Sequence, residues 1–473
     1  MARLPVVDAP AGEPPHPNMN MHDGFFVTRE NEILLTDLYE LTMAAAYWAN
    51  GINSTASFEL YFRRLPPNRS YILAAGLEQI IDYLLNFHFS ENQIEWLRSL
   101  EQFRHLDPKF FDFLSDLRFT GDVRAIPEGT MVFPLEPLLQ VTAPLIEAQI
   151  LETYLLNVLN SQSMIATKAA RMMKAAAGRS VIDFGARRAQ SPQAALYAAR
   201  ASYIAGCPGT SNVLAAFLAG IPPYGTTAHS FTMAFESELE AFRAYHRVFP
   251  KTTVLLLDTY DTLEAAKKAK LVGNDLAAVR IDSGDLLDLS RKVRKILDDD
   301  DLRHVRIMAS GDLNEFKIAD LVSQKAPIDA FGVGTELVTS YDAPALNGVY
   351  KLVEMTIGGK LVSRIKTSQG KPSYPGRKQV YRFQKNHYHS HDLVTLADED
   401  PPENASPMLK MYVESGKCTA KLPSLAEIRN HAALNLDALD PSFHDVNSVA
   451  EYPVAFSERL KQELRKAERS IER

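Results

Sequence analysis

The sequence predicts an α/β protein built on a parallel sheet, open or closed into a barrel, with the terminal portions packing together as a second domain. Three observations predict it. In the middle of the chain, short apolar strands alternate with helical stretches: SVIDF near Val181, TTVLLLD near Leu255, AAVRID near Val279, VRIMAS near Ile307 and IDAFGVG near Phe331. The last four recur at intervals of roughly 25 residues, the length of one βα unit. Each strand runs into a polar or glycine-containing loop, so Arg187, Asp258, Asp282, Asp312 and Thr335 fall just after strand ends. Sites in both open sheets and barrels lie at those carboxyl ends. Finally, 473 residues exceed one ordinary domain, and the flanking stretches TASFELYFRRLP and VYKLVEMTI have a β texture of their own.

The elements follow in order. Residues 1–24 are rich in proline, carry acids and lack the apolar stretch of a signal peptide, so a disordered tail is expected. LLTDLYELTMAAAYW, from Leu34 to Trp48, reads as a helix with Thr36 or Asp37 as its cap. TASFELYFRRLP alternates like a strand and stops at the turn Pro66-Pro67-Asn68. Helices follow through Phe113, then β-like sequence with turns from Asp122 to Val141, then a long helix from about Pro144 to Ala176. These assignments divide the chain into an N-terminal α+β part over 25–160, an α/β part over 161–350 and a C-terminal segment over 351–473. The last contains a basic loop, 364–382, and ends in the charged helix KQELRKAERSIER.

Composition narrows the function. Hydrophobic residues make up 46% and charged residues 23%, as in a globular protein with a real core. Lys plus Arg is 51 against 58 Asp plus Glu, a net charge of -7, which gives no electrostatic reason to expect nucleic acid as the main partner. No apolar run approaches the ~20 residues needed to cross a bilayer. Cys207 and Cys418 stand far apart with no partner histidine pattern. A disulfide framework and a zinc cluster are therefore not expected, and a reducing, cytoplasmic location is. There is no GxxxxGK[ST] loop, no GxGxxG after a strand and no HExxH.

Four constellations offer chemistry. In VRIDSGDL a strand delivers Arg280 and Asp282 to one face at its end. Arg280 suits a carboxylate and Asp282 a sugar diol, although an internal ion pair with a helix cap explains the motif equally well. MASGDLNE and FGVGTEL each follow a strand with a tight glycine turn. Gly311, Gly334 and Thr335 in these two successive loops favour a phosphate site, since barrels commonly build one from their last two loops. GTTAHSF places His229 before a helical run, with Ser230 as a plausible cap; a lone histidine is more often structural, but an imidazole can take up a proton or a phosphoryl group. DFGARRAQ offers the ring of Phe184 and the charges of Arg187 and Arg188, or else core packing and surface charge. Together the four suit a substrate with phosphates, a sugar and an aromatic acid.

The runs LLTDLYELTM, FELYFRRLP, PLIEAQILETYLLN, IATKAARM, DFGARRAQSP, GTTAHSF, VRIDSGDL, SGDLNE and FGVGTELVTS, in that order, resemble nicotinate phosphoribosyltransferase, a type II phosphoribosyltransferase. The resemblance covers most of the chain from about Glu32 to Arg382. It implies an irregular (β/α) barrel with a second α+β domain assembled from the N- and C-terminal parts, and a homodimer with shared active sites. It implies small-molecule partners only: nicotinate, phosphoribosyl pyrophosphate (PRPP) and ATP, with Mg2+ as cofactor, and neither nucleic acid nor membrane. By the same resemblance His229 is the histidine that ATP phosphorylates. Tyr39 reaches the pyridine ring in the partner's site and Phe184 stacks on the other face. Arg280 and Thr226 hold the carboxylate region, and Asp282 holds the ribose. Arg187, Gly311, Asp312, Gly334 and Thr335 meet the phosphates, and Lys366, Lys371 and Lys378 form a basic flap. Relatives that use nicotinamide carry an Asp near the position of Ser211; Ser211 adds no negative charge, which favours nicotinate.

The implied reaction displaces pyrophosphate from the anomeric carbon by the pyridine nitrogen, through a state with oxocarbenium character. The ring nitrogen is already a nucleophile and needs no protein base, which leaves His229 the phosphoryl-acceptor role. Three other readings are a nicotinamide phosphoribosyltransferase, another sugar-phosphate barrel enzyme and a catalytically silent metabolite-binding protein.

Overall fold

The computed structural model describes residues 26–367 and 373–471. The expected tail over 1–24 and Lys371 of the basic loop lie outside the described residues.

All five strands expected in the middle of the chain form one parallel sheet, in the order Ser180–Asp183, Ala330–Val333, Arg306–Ala309, Ala278–Ile281, Val254–Leu256. Their central residues Val181, Phe331, Ile307, Val279 and Leu255 are almost wholly buried, because helices cover the sheet. Leu256 pairs with Arg280, Arg280 with Met308 and Val333 with Asp183, so the strand ends come level and their loops open on one side.

The barrel expectation is corrected: among the described residues the sheet does not close. Single bridges, Asp183–Thr210 and Thr210–Pro223, carry the parallel order two steps past the Ser180–Asp183 edge and then stop. The reason is chemical. Where a further strand would run, the chain reads Ile221-Pro222-Pro223-Tyr224, and the two prolines have no N–H for a ladder. The carbonyl of Pro222 accepts from Thr210 N and the N–H of Tyr224 donates to Thr210 O, and no further pairing follows.

A second sheet draws on both ends of the chain. Its order is Lys360–Ser363, Gly348–Ile357, Thr55–Phe62, Leu139–Pro144, Asp122–Ala125, Lys410–Glu414, Lys417–Cys418. Residues 55–144 thus sit between strands from beyond residue 348. A four-stranded sheet, Ala405–Pro407, Lys378–Lys385, Tyr388–Leu396 and Val454–Phe456, is contributed by the C-terminal part alone. The two hydrophobic clusters follow this division, one centred on residues such as Phe58, Leu60 and Val141, the other on Val181, Val279 and Ile307.

The long helix is broken once, at Leu151, into Leu145–Ile150 and Glu152–Ala175. The run after His229 is also split, into His229–Met233 and Glu238–Val248. Ser230 is not a cap: Ala228 holds that position, and Ser237 caps the second piece through Glu240 N. Asp37 does cap its helix by position, but its carboxylate accepts from Thr153 Oγ1 instead of a helix N–H.

One buried ion pair ties the chain ends together. Lys378 Nζ lies 2.8 Å from Glu59 Oε2, while Glu59 Oε1 accepts from Lys378 N at 3.0 Å and Gln140 Nε2 at 2.8 Å. Lys378→Met leaves the Glu59 carboxylate buried without its counter-ion, which costs about 3–5 kcal/mol. Urea unfolding is expected to show that loss, with the KM of the folded variant for any phosphorylated substrate unchanged.

Candidate active site

The carboxyl ends of the parallel strands surround a cavity of about 420 Å³. Phe184, Arg187, Ser211, Thr226, Arg280, Asp282, Gly311, Asp312, Gly334 and Thr335 all line it. These residues come from six separated stretches of sequence, and only the register of the strands brings them together.

Arg280 is the hub. Its Nε donates to Ser310 Oγ at 2.7 Å, Nη1 to Thr226 Oγ1 at 2.8 Å and Nη2 to Asp282 Oδ1 at 2.5 Å. Ser310 Oγ donates to the same Asp282 oxygen. Burial would raise the pKa of Asp282, but the Ser310 hydrogen bond and the Arg280 charge outweigh it and hold the carboxyl below its usual range. Both readings of the VRIDSGDL motif therefore apply at once: Arg280 and Asp282 pair internally and both face the cavity, while Asp285 caps the next helix through Asp288 N. A guanidinium has five N–H groups, and one on Nη2 is left without an acceptor among the described residues.

The aromatic wall is built by a close approach. Phe184 follows the strand Ser180–Asp183, its N–H donating to Val333 O at 2.8 Å. Its ring lies against Gly332, where a Cβ would stand 2.5 Å from Phe184 Cδ2. The Arg280 guanidinium carbon is 5.7 Å from the ring centroid, within cation–π range. Beneath the ring, the buried Asp183 accepts from Thr210 Oγ1 at 2.7 Å and Gly185 N at 2.8 Å, which sets the loop that presents Ser211. Burial raises its pKa, with those two hydrogen bonds acting in the opposite sense.

Two glycine-rich loops adjoin these residues. Gly311 has φ +93°, and a Cβ there would meet the Asp282 carbonyl oxygen at 2.0 Å, so only glycine fits. Asp312 follows at φ +46°, and Asn314 caps the helix Glu315–Ser323 through Lys317 N. Gly334 and Thr335 form the neighbouring loop. Arg187 and Arg188 are exposed at the rim, with no ion-pair partner among the described residues. They supply positive charge beside both loops.

The remaining candidates lie elsewhere. His229 opens its helix next to the lining residues Thr227 and Ala228, with Nδ1 3.2 Å from Thr259 Oγ1. It is close enough to Asp282 that its positive charge would help keep that carboxylate ionised. Tyr39 is 45% exposed on the first helix and outside the cavity of its own chain. Lys366 is exposed, its N–H donating to Ser373 Oγ, and does not reach the cavity. Lys378 is not brought to the site either, and the physical reason is its buried pair with Glu59; its ammonium also donates to the carbonyls of Tyr374 and Gly376.

Sequence reasoning missed Ser310, Asp183, Thr227 and Glu336. Ser310 and Glu336 stood inside the quoted motifs, next to Gly311 and Thr335, but were passed over for their glycine neighbours. Asp183 was read only as the residue before Phe184. Thr227 offers a backbone carbonyl to Arg280, a role that no residue type announces.

Three family models match in chain order. The nicotinate phosphoribosyltransferase (NAPRTase) N-terminal domain matches residues 34–160, the NAPRTase family 179–395 and its C-terminal domain 402–464. A nicotinate phosphoribosyltransferase of Mycobacterium tuberculosis is 48% identical over 439 residues, covering 91% of this chain and 93% of that protein. One of Bacillus subtilis is 40% identical, covering 90% and 93%. The crystal structure of human nicotinic acid phosphoribosyltransferase superposes with a TM-score of 0.80 at 31% identity, covering 91% of this chain and 99% of that one. A nicotinate-nucleotide pyrophosphorylase from Pyrococcus furiosus superposes with a TM-score of 0.73 at 28% identity, covering 88% and 98%. With its strand-end cavity and with matches along nearly its whole length, the chain belongs to the nicotinate phosphoribosyltransferase family.

Proposed function

We propose that the chain transfers the phosphoribosyl group of PRPP to nicotinate, releasing pyrophosphate and forming nicotinate mononucleotide for NAD synthesis, with ATP phosphorylating His229. The observation that supports this best is a single cavity that joins Arg280 and Phe184 to the two glycine-rich loops at Gly311 and Gly334. An aromatic acid and a pyrophosphate have different needs, and the cavity offers a surface for each.

The free Nη2 N–H of Arg280 suits the carboxylate of nicotinate, with Thr226 holding the guanidinium in place and Phe184 against the ring. Asp282, kept ionised, suits the ribose hydroxyls. Gly311 and Gly334 let the backbone approach the phosphates, and Arg187 and Arg188 add charge where pyrophosphate leaves. The ring nitrogen then needs only to be held in line with the anomeric carbon. Asp282 and Asp312 line the cavity, a donor set that fits Mg2+, which binds through one or two carboxylates plus substrate phosphates. Such an ion would neutralise the departing pyrophosphate. Ser211 faces the cavity and adds no charge beside an anionic ring substituent.

The dimer belongs to the same proposal. The helix Val213–Ala219, directly after Ser211, exposes Val213, Leu214, Phe217 and Leu218, and the first helix exposes Leu38 and Tyr39. Contiguous apolar exposure of this kind marks a protein–protein surface. The resemblance implies that such a partner would complete this cavity with its Tyr39. Among the described residues no helix is long and apolar enough to cross a membrane. A cytoplasmic location is part of the same proposal.

Three outcomes are expected. Purified protein with PRPP and Mg2+ makes nicotinate mononucleotide, faster with ATP, and turns over nicotinamide poorly; turnover of nicotinamide alone would overturn the assignment. Label from the γ-phosphate of ATP is incorporated in the wild type and lost in His229→Ala, together with the ATP stimulation; retained stimulation would remove His229 from the mechanism. Gly332→Ala pushes the Phe184 ring out of place and raises KM for nicotinate about tenfold, with KM for PRPP little changed.

A further inference from the structure

The helix Glu152–Ala175 passes behind both glycine-rich loops, and its Lys168 is completely buried. The Nζ atom lies 2.6 Å from Glu315 Oε2, 2.8 Å from Asp342 Oδ1 and 3.4 Å from Glu336 Oε2. Glu315 opens the helix that follows Gly311 and Asp312. Glu336 and Asp342 follow Gly334 and Thr335. One ammonium therefore touches acids from both loops.

Two arginines complete the cluster. Arg69, also fully buried, holds Asp342 through two hydrogen bonds at 2.8 and 2.9 Å. Arg171 Nε donates to Glu315 Oε1 at 3.0 Å. Three cations (Arg69, Lys168, Arg171) thus face three carboxylates (Glu315, Glu336, Asp342). Burial would raise the pKa of Asp342, but Arg69 and Lys168 outweigh it and hold the carboxyl far below its usual range. Burying this much charge is costly unless every member is paired, and replacing such a cluster with apolar side chains is often neutral or stabilising. Stability alone is therefore a poor reason for it. Glu336 adds a second reason: it also lines the cavity, where an unneutralised carboxylate would repel a polyanion.

We propose that Lys168 is a positioning residue for the pyrophosphoryl end of the substrate: it locks the two glycine-rich loops to each other and cancels the charge of Glu336 beside them. Arg171 reaches the first loop only. Arg69 pairs with acids of both loops, but at 3.9 Å from Glu315 where Lys168 stands at 2.6 Å, and among the described residues Lys168 alone also meets Glu336, so Lys168 is the tighter link. The proposal rests on reading the cavity as a PRPP site.

Lys168→Met keeps the length and removes the charge. It raises KM for PRPP about tenfold and leaves KM for nicotinate within about twofold, since a small displacement of a binding loop weakens the group it holds. Lys168→Arg restores most of the loss. A purely structural lysine would instead lower thermal stability and the active fraction with both KM values unchanged. Amide hydrogen exchange gives a readout that needs no turnover. Lys168→Met accelerates exchange in 311–315 and in 335–342 together, whereas Asp342→Asn accelerates it in 335–342 alone. If Lys168→Met does not yield folded protein, Asp342→Asn and Lys168→Arg carry the test. An unchanged KM for PRPP in folded Lys168→Met, a parallel rise in both KM values, or exchange that changes in neither loop overturns the proposal. Absence of any nicotinate mononucleotide from the wild type strikes the functional reading, while the exchange result still decides whether Lys168 couples the loops.

Discussion

The site depends on the pairing of Arg280 with Asp282. An arginine held only by solvent would swing, and one fully enclosed by acids would have nothing left for a ligand. Here the guanidinium is fixed by Ser310, Thr226 and Asp282, lines the cavity, and keeps one N–H without an acceptor among the described residues. The same contacts keep Asp282 ionised, so both residues are set in charge and direction before any ligand arrives. That pre-organisation is what electrostatic catalysis requires.

The surrounding architecture exists to hold that pair in register with its neighbours. Arg280 pairs across the ladder with Leu256 and Met308, so the Ser310 hydroxyl arrives where both Arg280 and Asp282 reach it. Gly311 can turn under Asp282 only because it has no side chain, and Gly332 gives Phe184 its seat for the same reason. Behind the sheet, the buried Lys168 cluster joins the loops that follow the last two strands. The second sheet joins strands from both chain ends, and the segments that carry Arg69 and Lys168 follow its strands Thr55–Phe62 and Leu139–Pro144. Residues far from the cavity in sequence thereby meet at the back of its two glycine-rich loops.

Much of this was legible in the sequence, because periodicity and punctuation are local properties. All five parallel strands were placed, and ten of the expected site residues share one cavity, since a residue that follows an apolar strand in an α/β unit has little choice of position. What was not legible depended on distant partners. Barrel closure turned on Pro222 and Pro223, whose missing N–H groups matter only once Thr210 lies beside them. Lys378 looked like a phosphate ligand within a basic stretch, and only the fold reveals Glu59 as its partner. Lys168 stood in plain view in IATKAARM, but nothing in that run shows that three carboxylates from two later loops converge on it. Ser310 and Asp183 were overlooked because Ser and Asp at strand ends are common and their roles lie in what they orient.

The role proposed for Arg280 is to read the carboxylate of an aromatic acid. Its most direct test is equilibrium binding of nicotinate and of nicotinamide to the wild type and to Arg280→Gln, measured by calorimetry in the presence of pyrophosphate. A hydrogen bond to a charged group is worth about 1.5–3 kcal/mol, roughly 10- to 150-fold in affinity. Nicotinate binding is expected to fall by that factor in Arg280→Gln while nicotinamide binding changes little, so that the preference between the two ligands disappears. Equal losses for both ligands, or a preference for nicotinate that survives the substitution, would contradict it.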